Sequence, residues 1–148
     1  MKKFVFQQCI FFMLFFVTIF VFSCSKKNST EPEQKYEIGK NYYTTDIDGD
    51  DREYYVHVPT NYNSGIATPV VFMLHGTSGD GEKFYDGSGW KEVGETENIL
   101  TVFPSSWRYR IIVDGQTGIT TKWNSLPAEW TFSPGEIPRD DIKFLRTV

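Results

Sequence analysis

Serine, histidine and carboxylate side chains are the groups from which a hydrolytic site can be assembled, and this 148-residue sequence has only two histidines, His57 and His75. Acyl transfer by a serine needs a nucleophile, a base, an acid that orients the base, and donors for the developing oxyanion. Gly76-Thr77-Ser78-Gly79-Asp80 begins like a G-x-S-x-G elbow, but Asp80 stands where the second glycine belongs. Ser105 and Ser106 follow Pro104 without a glycine frame. No serine is therefore expected to act as nucleophile. His57 alternates with Val56 and Val58 and reads as a half-exposed strand histidine rather than a base. His75 closes an apolar run at the mouth of a glycine-rich loop. Asp140 and Asp141 follow Pro138 and read as helix-capping and helix-dipole residues. Two distant histidines and scattered carboxylates give no metal-ligand spacing, so neither metal nor cofactor is expected.

The elements that hold these residues follow from periodicity. Tyr42 to Ile47 and Arg52 to Pro59 are β-rich runs joined by Asp48-Gly49-Asp50-Asp51, which predicts an antiparallel hairpin. Val70 to Leu74 is apolar without alternation, as expected of a strand buried on both faces of a parallel sheet. Three glycines between His75 and Gly81 predict a loop that can take positive φ or let a ligand approach the backbone. That loop could be an ordinary tight connection, or it could aim backbone N–H groups at a developing alkoxide. A helix from about Trp90 to Asn98 and a buried strand from Ile99 to Phe103 complete a βαβ unit with a right-handed crossover. The stretch from Ser105 to Pro138 reads as a long irregular loop ordered by Trp107, Trp123, Trp130 and Phe132. A last helix begins at Asp140.

The first residues have a different character. Lys2 and Lys3 precede an apolar run, Phe4 to Phe22, ending at Val21-Phe22-Ser23-Cys24. This resembles the signal peptide and lipobox of bacterial lipoproteins. The resemblance implies diacylation of Cys24, removal of residues 1–23 and export to a membrane or cell surface. An uncleaved transmembrane anchor is the alternative, because the run approaches the roughly 20 residues that span a bilayer. Residues 24–35 read as a polar tether, and residues 36–148 as the domain. The domain has no cysteine. The formal net charge of −4 and the lack of a basic stripe argue against nucleic acid as a partner.

Taken in order, several segments resemble the polyhydroxybutyrate-depolymerase and feruloyl-esterase group of α/β-hydrolases. They are the strand Arg52 to Pro59, Val70-Val71-Phe72-Met73-Leu74-His75-Gly76, Gly89-Trp90, Ile99 to Pro104, Thr121-Lys122-Trp123-Asn124, and Asp140 to Leu145. The resemblance covers roughly residues 36 to 148. It implies an α/β fold class, specifically the amino-terminal half of an α/β-hydrolase: an antiparallel hairpin, then a parallel βαβ unit, with the sheet incomplete. It also implies carboxylic ester hydrolysis on an ester-bearing polymer or polysaccharide. The family's nucleophile elbow, acid and base come after the segments matched here, so the chain by itself is expected to be inactive. The amides of Thr77 and Ser78 become the oxyanion-hole candidates, with His75 and Gly76 shaping the loop. Trp123 and Asn124 become candidates for lining a substrate cleft, although Trp123 could equally pack the loop onto the domain. A surface lipoprotein that binds polysaccharide through its tryptophans is the competing reading.

Overall fold

In a computed structural model of the chain, residues 36–124 and 130–148 are described, and they lie in one compact unit, Lys35–Val148. The proposed signal, Cys24 and the tether lie outside the described residues. Strand β1 (Gly39–Ile47) pairs antiparallel with β2 (Asp50–Val58) across Asp48 and Gly49. Both turn residues have positive φ, 58° and 89°, as a two-residue hairpin turn matched to strand twist requires. Tyr54, Val56 and Val58 face one side and join Ile47, Val102 and Phe144 in the larger core cluster. Tyr55 faces the other side and packs with Tyr85 and Phe103.

Strand β3 (Val70–Phe72) leads through helices α1 (Gly81–Gly87) and α2 (Trp90–Glu97) to β4 (Leu100–Pro104), and β3 and β4 are parallel. The sheet order is β1-β2-β4-β3. The strands buried on both faces are thus β2 and β4, the latter as its sequence led one to expect. The unbroken apolar run Val70 to Leu74 lies instead at the sheet edge, with Val70, Phe72 and Leu74 exposed at 50%, 37% and 45%. An apolar run without a period carries no signal for its neighbours, so an edge and a central strand read alike. Helix α1 escaped the sequence reading because it starts inside the glycine cluster. Asp80 caps it by accepting the Lys83 N–H at 2.8 Å. Gly81 is required where it stands, since a Cβ there would lie 2.3 Å from the Phe103 carbonyl oxygen.

The stretch read as an irregular loop contains a second sheet. Strands β5 (Trp107–Val113) and β6 (Gln116–Lys122) form a hairpin over Asp114 and Gly115, both at positive φ, and β7 (Thr131–Phe132) adds to β5. Helix α3 (Asp141–Thr147) is capped by Asp140. The α/β class is therefore corrected. Among the described residues strand outweighs helix, 39% to 20%, the helices are three and short, and the architecture is a mixed sheet beside an antiparallel one rather than a clear half of an α/β-hydrolase. Among the described residues all strand pairings but β3–β4 are antiparallel. Among the described residues no helix is long and apolar enough to cross a membrane.

Candidate functional site

The carboxyl ends of the parallel strands β3 and β4 are where open sheets of this kind present ligand-binding groups. His75 stands there, 3% exposed. Its Nδ1 lies 2.6 Å from the Gly76 carbonyl oxygen, and its Nε2 accepts the Ser106 N–H at 3.0 Å. One ring nitrogen must donate and the other accept, which the neutral Nδ1–H tautomer satisfies. The Trp123 indole N–H donates to the His75 carbonyl at 2.9 Å, with the two rings 5.3 Å apart. His75 thus ties the end of β3 to the end of β4 and to β6. Both ring nitrogens are committed, so it shapes the loop and is not free to move a proton.

The two proposed oxyanion donors fare differently. The Ser78 N–H donates to the Thr121 carbonyl at 3.1 Å, and Ser78 sits at φ 65°. The Thr77 N–H has no partner among the described residues. Its side-chain oxygen accepts from Lys122 Nζ at 3.2 Å, and the residue is exposed. The loop is sewn to β6 by further bonds: Ser78 Oγ to Thr120 Oγ1 at 2.7 Å, and Thr121 Oγ1 to the Gly79 carbonyl. Gly76 contributes its carbonyl, which also accepts the Gly79 N–H. Sequence reasoning missed Lys122 as a member of the site because β6 was read as loop. The alternation of Thr120 and Lys122 beyond an Asp-Gly turn was the available signal.

The proposed cleft residues are engaged within the chain. Trp123 packs against the larger core cluster as well as bonding His75. The Asn124 backbone N–H donates to Asp141 Oδ2, and its side-chain amide donates to the Arg139 carbonyl at 2.9 Å. Asp141 is more than a dipole residue, being 5% exposed and ion-paired with Arg52 at 2.7 Å.

His57 is also placed differently from the expectation. It is 9% exposed, with Nδ1 3.0 Å from Tyr85 Oη and Nε2 3.0 Å from Glu95 Oε2. Glu95 accepts the Thr60 N–H as well. Hydrogen bonding from Thr60, and then from His57, holds the Glu95 carboxyl below its ordinary value of 4.5. A carboxylate held low in the folded state adds stability that is fully present above that value and fades as the pH falls through the lowered one. Glu95→Gln is therefore expected to flatten the acid limb of the stability curve below pH 4.5, measured by urea unfolding of both proteins over that range.

Among the described residues no group of three metal-ligating side chains comes together. No family model matches the sequence, and no curated protein matches it.

Proposed function

We propose that the domain serves carboxylic-ester chemistry of the polyhydroxybutyrate-depolymerase and feruloyl-esterase kind, and that its loop after β3 contributes one oxyanion donor, the Thr77 N–H. The observation that carries this is the unpartnered Thr77 amide beside the Lys122 ammonium, on a loop held by His75. A donor on a loop held in place by its neighbours, with an ammonium bonded to the same residue, stabilises an oxyanion with little reorganisation at the moment of reaction. Ser78 is not a second donor, because its N–H is bonded to Thr121. Among the described residues both histidines have their ring nitrogens bonded, so neither is offered as the base. The role proposed for this loop is charge stabilisation of the oxyanion. The lipobox-like Val21 to Cys24 supports export and lipid anchoring at Cys24, which would hold the domain near a polymeric ester at a membrane or cell surface.

An uncharged ester offers little to bind in its ground state, so the test uses a mimic of the tetrahedral intermediate. Titrating an alkyl methylphosphonate monoester into labelled protein is expected to move the Thr77 amide proton resonance downfield and leave that of Ser78 in place. Lys122→Met is expected to weaken the binding about tenfold, the loss of one charge-assisted contact. A Thr77 amide that does not respond sinks the proposal. A response of the Trp123 indole to soluble polysaccharide, with none at Thr77, would favour the binding-module reading instead.

A further inference from the structure

Between β1, β2 and the start of β5 there is an open cleft of about 460 Å³, within the size range of small-molecule sites. Side chains alternate along a strand, and this decides which groups face it. Arg52 turns to the α3 side of β2, where its guanidinium bonds Asp141 and lies over the Phe144 ring. Asp51 and Glu53, on either side of it in the strand, therefore point the other way. On β5 the Trp107 ring faces the Arg52 guanidinium, 5.8 Å from its Cζ, so Arg108 points to the side of Asp51 and Glu53. Tyr42 shares that side, since it stands opposite Tyr55 in the hairpin with the two rings 5.1 Å apart. Tyr42, Asp51, Glu53 and Arg108 all line the cleft.

The charges on its walls are opposite and do not neutralise one another. Among the described residues Arg108, Asp51 and Glu53 take part in no ion pair, with each other or with any other group. Arg108 and Asp51 are exposed, so both are within reach of a ligand. Glu53 is aimed by its neighbours: Ser105 Oγ donates to its Oε1 at 2.8 Å, and Ser105 Oγ itself accepts the Gly81 N–H at the start of α1. The Tyr42 hydroxyl reaches Glu53 Oε2 at 3.5 Å. Burial first, and then the charge of Glu53, push the Tyr55 hydroxyl beneath it up to about 12, as expected of a face that carries a carboxylate. A simple anion drawn to Arg108 meets the repulsion of Asp51 and Glu53, and a simple cation drawn to these meets that of Arg108. A ligand gains on both walls only if it carries both charges, and selectivity then comes from the repulsion of single charges. The Tyr42 ring, 54% exposed at the rim, offers an apolar face to the carbon chain between them. We infer that this cleft binds a small zwitterion, its ammonium toward Glu53 and Asp51 and its carboxylate toward Arg108. The inference stands independently of the ester-chemistry reading, because it uses neither Thr77 nor Lys122.

The test is a titration of the full chain at neutral pH with 4-aminobutyrate, butyrate and butylamine, followed through the amide resonances of Glu53 and Arg108. The three probes share a carbon chain and differ in charge. Saturable shifts with 4-aminobutyrate are expected, with each singly charged probe bound at least about tenfold more weakly, the loss of one charge-assisted contact. Arg108→Gln and Glu53→Gln should each weaken the binding of 4-aminobutyrate about tenfold for the same reason. Arg108→Gln should leave the melting temperature in place, because the side chain is exposed and unpaired. Butyrate or butylamine binding as tightly as 4-aminobutyrate, no saturable response to 4-aminobutyrate, or unchanged affinity in Arg108→Gln each overturns the inference. The Thr77 amide serves as an internal control, and its silence here leaves the ester proposal untouched.

Discussion

Replacing Arg52 by alanine is expected to cost about 3–5 kcal/mol of folding stability, the loss seen when one partner of a buried ion pair is removed. Arg52 Nη2 donates to Asp141 Oδ1 at 2.7 Å and to the Ser105 carbonyl at 3.2 Å, and the guanidinium lies 4.2 Å from the Phe144 ring centroid. The side chains are 2% and 5% exposed, so water cannot replace the missing partner. The substitution leaves the Asp141 carboxylate buried and uncompensated, still accepting the Asn124 N–H. It also frees α3 from β2. Against a total stability of about 5–15 kcal/mol for a domain, such a loss is large. Urea unfolding measures it. The double variant Arg52→Met with Asp141→Leu should recover most of it, because an apolar pair of similar volume escapes the desolvation cost of both charges. A loss below about 1 kcal/mol in the single variant would mean that the pair behaves like an exposed one.

Tyr109→Ala is expected to cost about as much, roughly 3–5 kcal/mol, by opening a cavity in the second sheet. Tyr109 is fully buried, its ring centroid 4.8 Å from that of Phe132, and its hydroxyl oxygen accepts the Arg139 N–H at 2.9 Å. Burial raises the pKa of that hydroxyl, so it stays protonated at neutral pH. Tyr109→Phe keeps the ring and leaves the Arg139 N–H without its partner, for about 1–3 kcal/mol. Amide exchange in β5 and β6 should accelerate in the alanine variant before that in β1 and β2. Were residues 107–132 an irregular surface loop, the alanine variant would unfold within about 0.5 kcal/mol of the parent protein.

The local elements that depend on nearby residues were legible. Asp48-Gly49 announces a hairpin, and the alternation after it assigns Tyr54, Val56 and Val58 to one face. Asp140 after Pro138 announces α3. The Asp114-Gly115 turn carried the same signal as Asp48-Gly49, but proline and glycine nearby outweighed it, and β5 to β7 were read as loop. That error set the fold class. Counting the 105–138 stretch as structureless left a βαβ unit to dominate an architecture that is mostly antiparallel strand. The lipobox-like segment is legible in the sequence alone.

Chemistry divides along the same line. Residue types already singled out the His75 to Gly81 loop. Which amide in that loop stays free was beyond their reach. That depends on β6 folding back so that the Thr121 carbonyl takes the Ser78 N–H and Lys122 stands at Thr77, contacts between residues more than forty positions apart. The same distance hides the Arg52–Asp141 pair, since neither residue carries a local mark of its partner. The sequence by itself determined the turns, caps and strand faces, because those are set by dihedral preferences and side-chain alternation over a few residues. Only the tertiary structure decided which strand is central, which histidine nitrogens are bonded and which donors are left unpaired, because each of these depends on what the rest of the chain brings within hydrogen-bonding distance.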